Sequence, residues 1–129
     1  MEKLIRALLR GAPAVSGMTS HVNFGEHPQG KPYPYVVLWT ISDVDGVTLE
    51  GVSGLNQGRI QADCYGRTYG TAKRLSRAVK AVLSGYSGGA LQGVFHAGSR
   101  ESREGGTNEA DRPFRVSLDF TLTYSNEEL

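Results

Sequence analysis

The chain has a single cysteine, Cys64, and no surplus of either charge, with 14 Lys and Arg against 13 Asp and Glu. One thiol excludes an intramolecular disulfide framework and a cysteine-based structural zinc site, which needs at least two thiolates. The near-neutral balance argues against a free-standing nucleic-acid binder, which carries a large basic excess. Long apolar runs are also missing, where a membrane span would need about 20 apolar residues. The first ten residues contain Glu2 and an apolar run of only Ala7 to Leu9, so they do not read as a signal peptide. The expectation is a protein inside a cell, or in something assembled there.

A length of 129 residues fits one domain with a single core. The 39% hydrophobic and 21% charged fractions are those of a soluble globular chain. Glycine is the surplus residue, at 17 positions, and it falls at turns.

Glu2 to Arg10 predicts a short helix with Leu4, Ile5, Leu8 and Leu9 on one side, stopped by Gly11 and Pro13. His21 to Gly25 reads as a short strand, and Glu26 to Pro34, with three prolines, as a loop. Tyr35 to Ser42 is the densest β signal and is apolar on both faces, which predicts a central strand covered on each side, with Trp39 in the core. Asp45-Gly46 between Val44 and Val47 reads as a hairpin turn inside a pliable segment from Asp43 to Gly58. Arg59 to Tyr65 alternates as a strand and places Cys64 on the apolar face as a small buried hydrophobe.

Tyr69 to Ser84 is the best helix. At 100° per residue, Ala72, Leu75, Val79, Val82 and Leu83 share an apolar arc, while Lys73, Arg74, Arg77 and Lys80 share the opposite side. Gly85 suits its C-terminal stop. Leu91 to His96 reads as a strand, Gly98 to Pro113 as a charged mobile loop, and Phe114 to Tyr124 as a long strand with strict alternation. The tail from Ser125 is expected to fray. The order α-β-β-β-α-β-β predicts an α+β fold, a single domain over residues 1–129 with a mainly antiparallel sheet and two helices on one face.

No chemistry-bearing motif survives inspection. Gly85-Tyr86-Ser87-Gly88-Gly89 fits the serine-hydrolase elbow in letters, but it follows a helix and precedes a strand, the reverse of what the elbow needs. Gly51 to Gly58 lacks the Gly-Lys-Ser/Thr end of a phosphate loop. Asp43, Asp45, Gly46 and Glu50 have too few oxygen ligands and too short a run for a calcium loop. His21, His27 and His96 are too far apart for a helical metal pair. No catalytic residue, metal or cofactor is predicted.

The cationic helix face is different, because four like charges on one arc repel. It is either a solvated face or one that meets acids: Asp43, Asp45 or Glu50 of an adjacent copy, or the phosphates of a nucleic acid.

The motif order also carries a resemblance. Pro34-Tyr35-Val36-Val37-Leu38, then Arg59-Ile60-Gln61-Ala62-Asp63-Cys64-Tyr65, then Thr71-Ala72 and the helix Ala78-Val79-Lys80-Ala81-Val82-Leu83, then Arg115-Val116-Ser117-Leu118-Asp119-Phe120, follow one another along nearly the whole chain. The pattern resembles the tail completion, or tail terminator, proteins of long-tailed bacteriophages and gene transfer agents. The resemblance implies a non-enzymatic virion protein at the head-proximal end of the tail, assembled in the bacterial cytoplasm. It implies a homo-oligomeric ring, usually hexameric, that stops tube polymerisation and joins the head connector, with genome DNA passing through its channel. Its partners would be itself, the tube protein, the connector proteins and transient DNA, and no membrane. A ring needs two different complementary faces on each copy, and the basic helix and acidic hairpin would supply them. The rival readings are a head–tail adaptor or tube subunit, a small ligand-binding or enzymatic domain, and a salt-sensitive DNA-binding module using Lys73, Arg74, Arg77 and Lys80.

Overall fold

The computed structural model describes residues 1–30, 32–48, 51–103 and 112–125. Three helices, α1 (Glu2–Gly11), α2 (Pro13–Ser16) and α3 (Tyr69–Leu83), accompany five strands: β1 (Val22–Phe24), β2 (Tyr35–Thr48), β3 (Gly51–Gly66), β4 (Leu91–Arg103) and β5 (Phe114–Ser125). The strands form one sheet in the order β1-β2-β3-β5-β4. Every neighbouring pair is antiparallel except β1–β2, so the fold is α+β as expected.

All three helices pack on one face. Ile5 and Leu9 of α1, Val15 of α2, and Ala72, Leu75, Val79 and Leu83 of α3 share one core with Val36, Leu38, Ile60, Ala62, Cys64, Val116, Leu118, Phe120 and Leu122 of the sheet. The alternation of β5 thus reports a half-covered strand. The helix α3 starts where Thr68 Oγ1 accepts from Thr71 N at 3.1 Å, an N-cap that satisfies an otherwise orphaned donor. Beyond its end, Gly85 takes φ +81°, a left-handed conformation that suits glycine. The short α2 was not legible: Pro13, read as a stop for α1, sits in the first turn of a new helix, where its missing N–H costs nothing.

Among the described residues, the opposite, outer face is covered only at one end. There Tyr35, Val37 and Tyr65 are buried with Tyr33 packed on them, and His27 Nδ1 lies 2.9 Å from Tyr35 Oη. Further along β2 nothing covers that face among the described residues. Trp39, expected in the core, is therefore 39% exposed, and Ile41 and Val44 are more exposed still. The two-sided apolar pattern of β2 reflects core on one face and, on the other, cover that ends after Val37.

The segment read as a pliable hairpin extension, and part of the one read as a charged loop, are strands. The β2–β3 ladder passes through Asp45↔Asn56 and continues to Thr48↔Gly51, so Asp45-Gly46 is not the turn. The extended hairpin is a paired arm, with a bulge at Ile41, between Thr40↔Ile60 and Ser42↔Arg59, and an irregularity between Asp45 and Val47. Likewise Gly98 to Arg103 continues β4, paired with β5 as far as Arg103↔Phe114. Residues 104–111 of the predicted loop and 126–129 of the predicted tail lie outside the described residues, while Ser125 is within β5.

Candidate assembly surfaces

The helical layer presents the cationic face that the sequence pattern predicts. Arg74, Arg77 and Lys80 of α3 are exposed, and so are Lys3 and Arg10 of α1. Arg74 donates to Thr71 Oγ1 of its own helix at 3.4 Å. Lys73 differs from the other three. Its Nζ lies 2.5 Å from Glu101 Oε2 on β4, and Tyr69 Oη donates to the same carboxylate at 3.1 Å. The hydrogen bond to Glu101 holds the Lys73 ammonium above its ordinary pKa, and the same bond holds Glu101 below the usual carboxylate range. One of the four cations is thus spent inside the chain, on a residue the sequence placed in a loop.

The acids predicted to oppose this face are on the arm. Asp43 is exposed and its carboxylate accepts a short hydrogen bond from Tyr124 Oη of β5. Asp45 occupies the register position opposite Asn56, and Glu50 lies outside the described residues. Within the chain Asp43 and the α3 cations hold different partners: Tyr124 for the acid, Glu101 for Lys73 and Thr71 for Arg74.

The outer face carries a polar network that the sequence did not signal. Asp63, only 3% exposed, accepts from Ser117 Oγ at 2.7 Å and from Gln61 Nε2 at 2.8 Å. Arg100 extends it, donating to Gln61 Oε1 at 3.1 Å and pairing with Asp119 Oδ2 at 2.5 Å. These residues stitch β3, β5 and β4 together. Each has its charge or hydrogen-bonding capacity answered by a neighbour, so the network reads as a fastening.

Burial, with help from the neighbouring Asp63 charge, pushes the Cys64 thiol far above its ordinary pKa of 9.0. The thiolate form that would attack or bind a metal is suppressed. Among the described residues no group of three or more His, Cys, Asp or Glu could hold a metal ion. No helix among them is long and apolar enough to cross a membrane.

A family model described as "Tail completion protein gp17" matches residues 3–125. The chain belongs to the tail completion protein gp17 family. Membership in this family makes it a structural protein of a phage tail, as the motif order led us to expect. The fold is shared with a chain from a solved particle, "Virion of native gene transfer agent (GTA) particle". The two are 21% identical, with a TM-score of 0.69, over 95% of this chain and 92% of that one. Among curated proteins no sequence matches. For a tail completion family member, assembly with other tail and head proteins is the function to be served.

Proposed function

We propose that the protein forms a closed, hexameric ring that caps the head-proximal end of the tail tube, stops its polymerisation and joins it to the head connector. Genome DNA passes through the channel of this ring. The observation that carries the reading is the segregation of charge on a tail completion fold. Exposed cations cover the helical layer, and Asp43 and Asp45 sit on the arm formed by β2 and β3, with Glu50 following them in the sequence. Opposite signs on different elements of one chain favour heterologous contact between copies. Such contact closes into a ring when the rotation allows.

Arg74, Arg77 and Lys80 supply the basic side of that contact, and the arm supplies the acidic side. Lys73 contributes to the field of this face while its ammonium stays on Glu101. The deciding experiment is electron microscopy of the purified protein across a concentration series, with Arg77→Glu/Lys80→Glu beside it. Closed rings from the unaltered chain, weakened by the double reversal, support the reading. Open filaments would instead indicate a tube subunit, and rings indifferent to the reversal would remove the charge argument.

A further inference from the structure

Pairing between β3 and β5 runs as far as Leu55↔Ser125, while β2 and β3 stay paired to Thr48↔Gly51. Among the described residues, the outer part of the arm is thus a ribbon of two strands. Such a ribbon twists more than a wide sheet does, so its direction is settled at its root. From Asp43 to Thr48 the arm runs about 17 Å, and a tilt of about 20° at the root would move its end by about 6 Å. That exceeds the reach of a side-chain contact, about 4–4.5 Å.

The root is tied at two points, one on each side of the bulge at Ile41. Before it, Thr40 Oγ1 donates to Glu2 Oε2 of α1 at 2.9 Å. After it, the Asp43 carboxylate accepts a short hydrogen bond from Tyr124 Oη. The second tie has the longer span. Asp43 pairs with Gly58 of β3, and Gly58 pairs in turn with Leu122 of β5, two residues before Tyr124. Tyr124 therefore reaches from β5 over β3 to β2. Its ring crosses β3 where there is no side chain, since a Cβ built at Gly58 would stand 3.4 Å from Tyr124 Cε1. The ring belongs to the core and is 2% exposed, whereas Asp43 is exposed. A fixed group in the core thus holds a residue at the root of the arm.

We propose that Tyr124 is a positioning residue for assembly: its hydroxyl, held on Asp43 across Gly58, keeps the arm in the direction that meets the neighbouring copy. This rests on the contact between arm and adjacent copy in the ring reading, and adds a requirement that charge does not set. Asp43 serves here as an acceptor, and an amide oxygen in its place accepts the same bond. Holding a contact segment in its bound direction beforehand lowers the ordering cost of association.

The test compares Tyr124→Phe, Asp43→Ala and Asp43→Asn by analytical ultracentrifugation over a concentration series and by amide hydrogen exchange across residues 43–48. Tyr124→Phe and Asp43→Ala should each raise the concentration needed for self-association about tenfold and speed exchange in the arm, with thermal unfolding little changed. Asp43→Asn keeps the acceptor and removes the charge, leaving Asp45 and Glu50 to carry the arm's acidity, and should match the unaltered chain in both measurements. The double variant Tyr124→Phe/Asp43→Ala should lose no more than either single change, because both remove one bond. Asp43→Asn as weak as Asp43→Ala would assign the effect to charge and overturn the brace. Self-association indifferent to both Tyr124→Phe and Asp43→Ala overturns the positioning role and leaves the ring standing. An unaltered chain that stays monomeric overturns both.

Discussion

Lys73 Nζ lies 2.5 Å from Glu101 Oε2, joining the first turns of α3 to the far end of β4. The pair fixes a pH window. Glu101 is depressed below its ordinary value of 4.5, so its contribution is present above that value and is lost as pH falls through its folded pKa. Lys73 is raised above 10.5, so its contribution is complete below 10.5 and is lost as pH rises through the folded value. We expect Glu101→Gln to lower Tm slightly at pH 7 and to lose that effect as pH falls through the lowered folded pKa of Glu101, once both proteins carry a neutral side chain there. Thermal unfolding across an acid pH series checks this.

Ser117→Ala should cost much more. It removes the hydroxyl that donates at 2.7 Å to the buried Asp63 carboxylate. A hydrogen bond to a charged, buried acceptor is worth about 1.5–3 kcal/mol. Urea denaturation should show a loss of that size with an unchanged m-value.

Gly66→Ala tests a close approach. A Cβ built at Gly66 would stand 2.7 Å from the backbone N of Ala72, in the first turn of α3. Backbone cannot swing aside as a side chain can, so the substitution should destabilise by about 1–3 kcal/mol. Gly11→Ala, where a Cβ meets nothing within 4 Å and the residue is helical, should be neutral or stabilising by comparison. A pair of denaturation curves decides it.

The cap of α3 offers a smaller effect. Thr68→Ala deprives Thr71 N of its acceptor and should cost about 0.5–2 kcal/mol, while Thr68→Asn should restore most of it. Leu75→Ala, in contrast, opens the core beneath the same helix and should cost about 2–5 kcal/mol. If the two losses came out equal by urea denaturation, the docking of α3 would rest on its cap and not on its apolar arc.

The elements that read correctly were those whose period matched their burial. The apolar arc of α3 and the alternation of β5 each record a single covered face. Where two causes shared one pattern, the reading failed. In β2 the residues facing the helices are Val36, Leu38 and Thr40, but beyond the bulge the next is Asp43, so no single period describes the strand. Trp39 looked like core because its neighbours are core. The charged end of β4 looked like loop because its charges are answered by Asp119 and by Lys73, and a local pattern cannot show partners 19 and 28 residues away. The cationic face of α3 was legible as a charge pattern, whereas the Lys73–Glu101 and Asp63–Ser117 contacts exist only once the strands are side by side.

The bulge at Ile41 has a consequence for reach and aim. Thr40 faces Ile60 and Ser42 faces Arg59, so the ladder loses no step there; β2 merely holds one residue more than the ladder uses. A chain lacking Ile41 would keep every pair beyond it and an arm of the same length. It would lose the extra local twist that a bulge adds. The arm's span is therefore set by its pairs and its heading at the base by one unpaired residue, which makes position 41 a place where this protein can be re-aimed without being shortened.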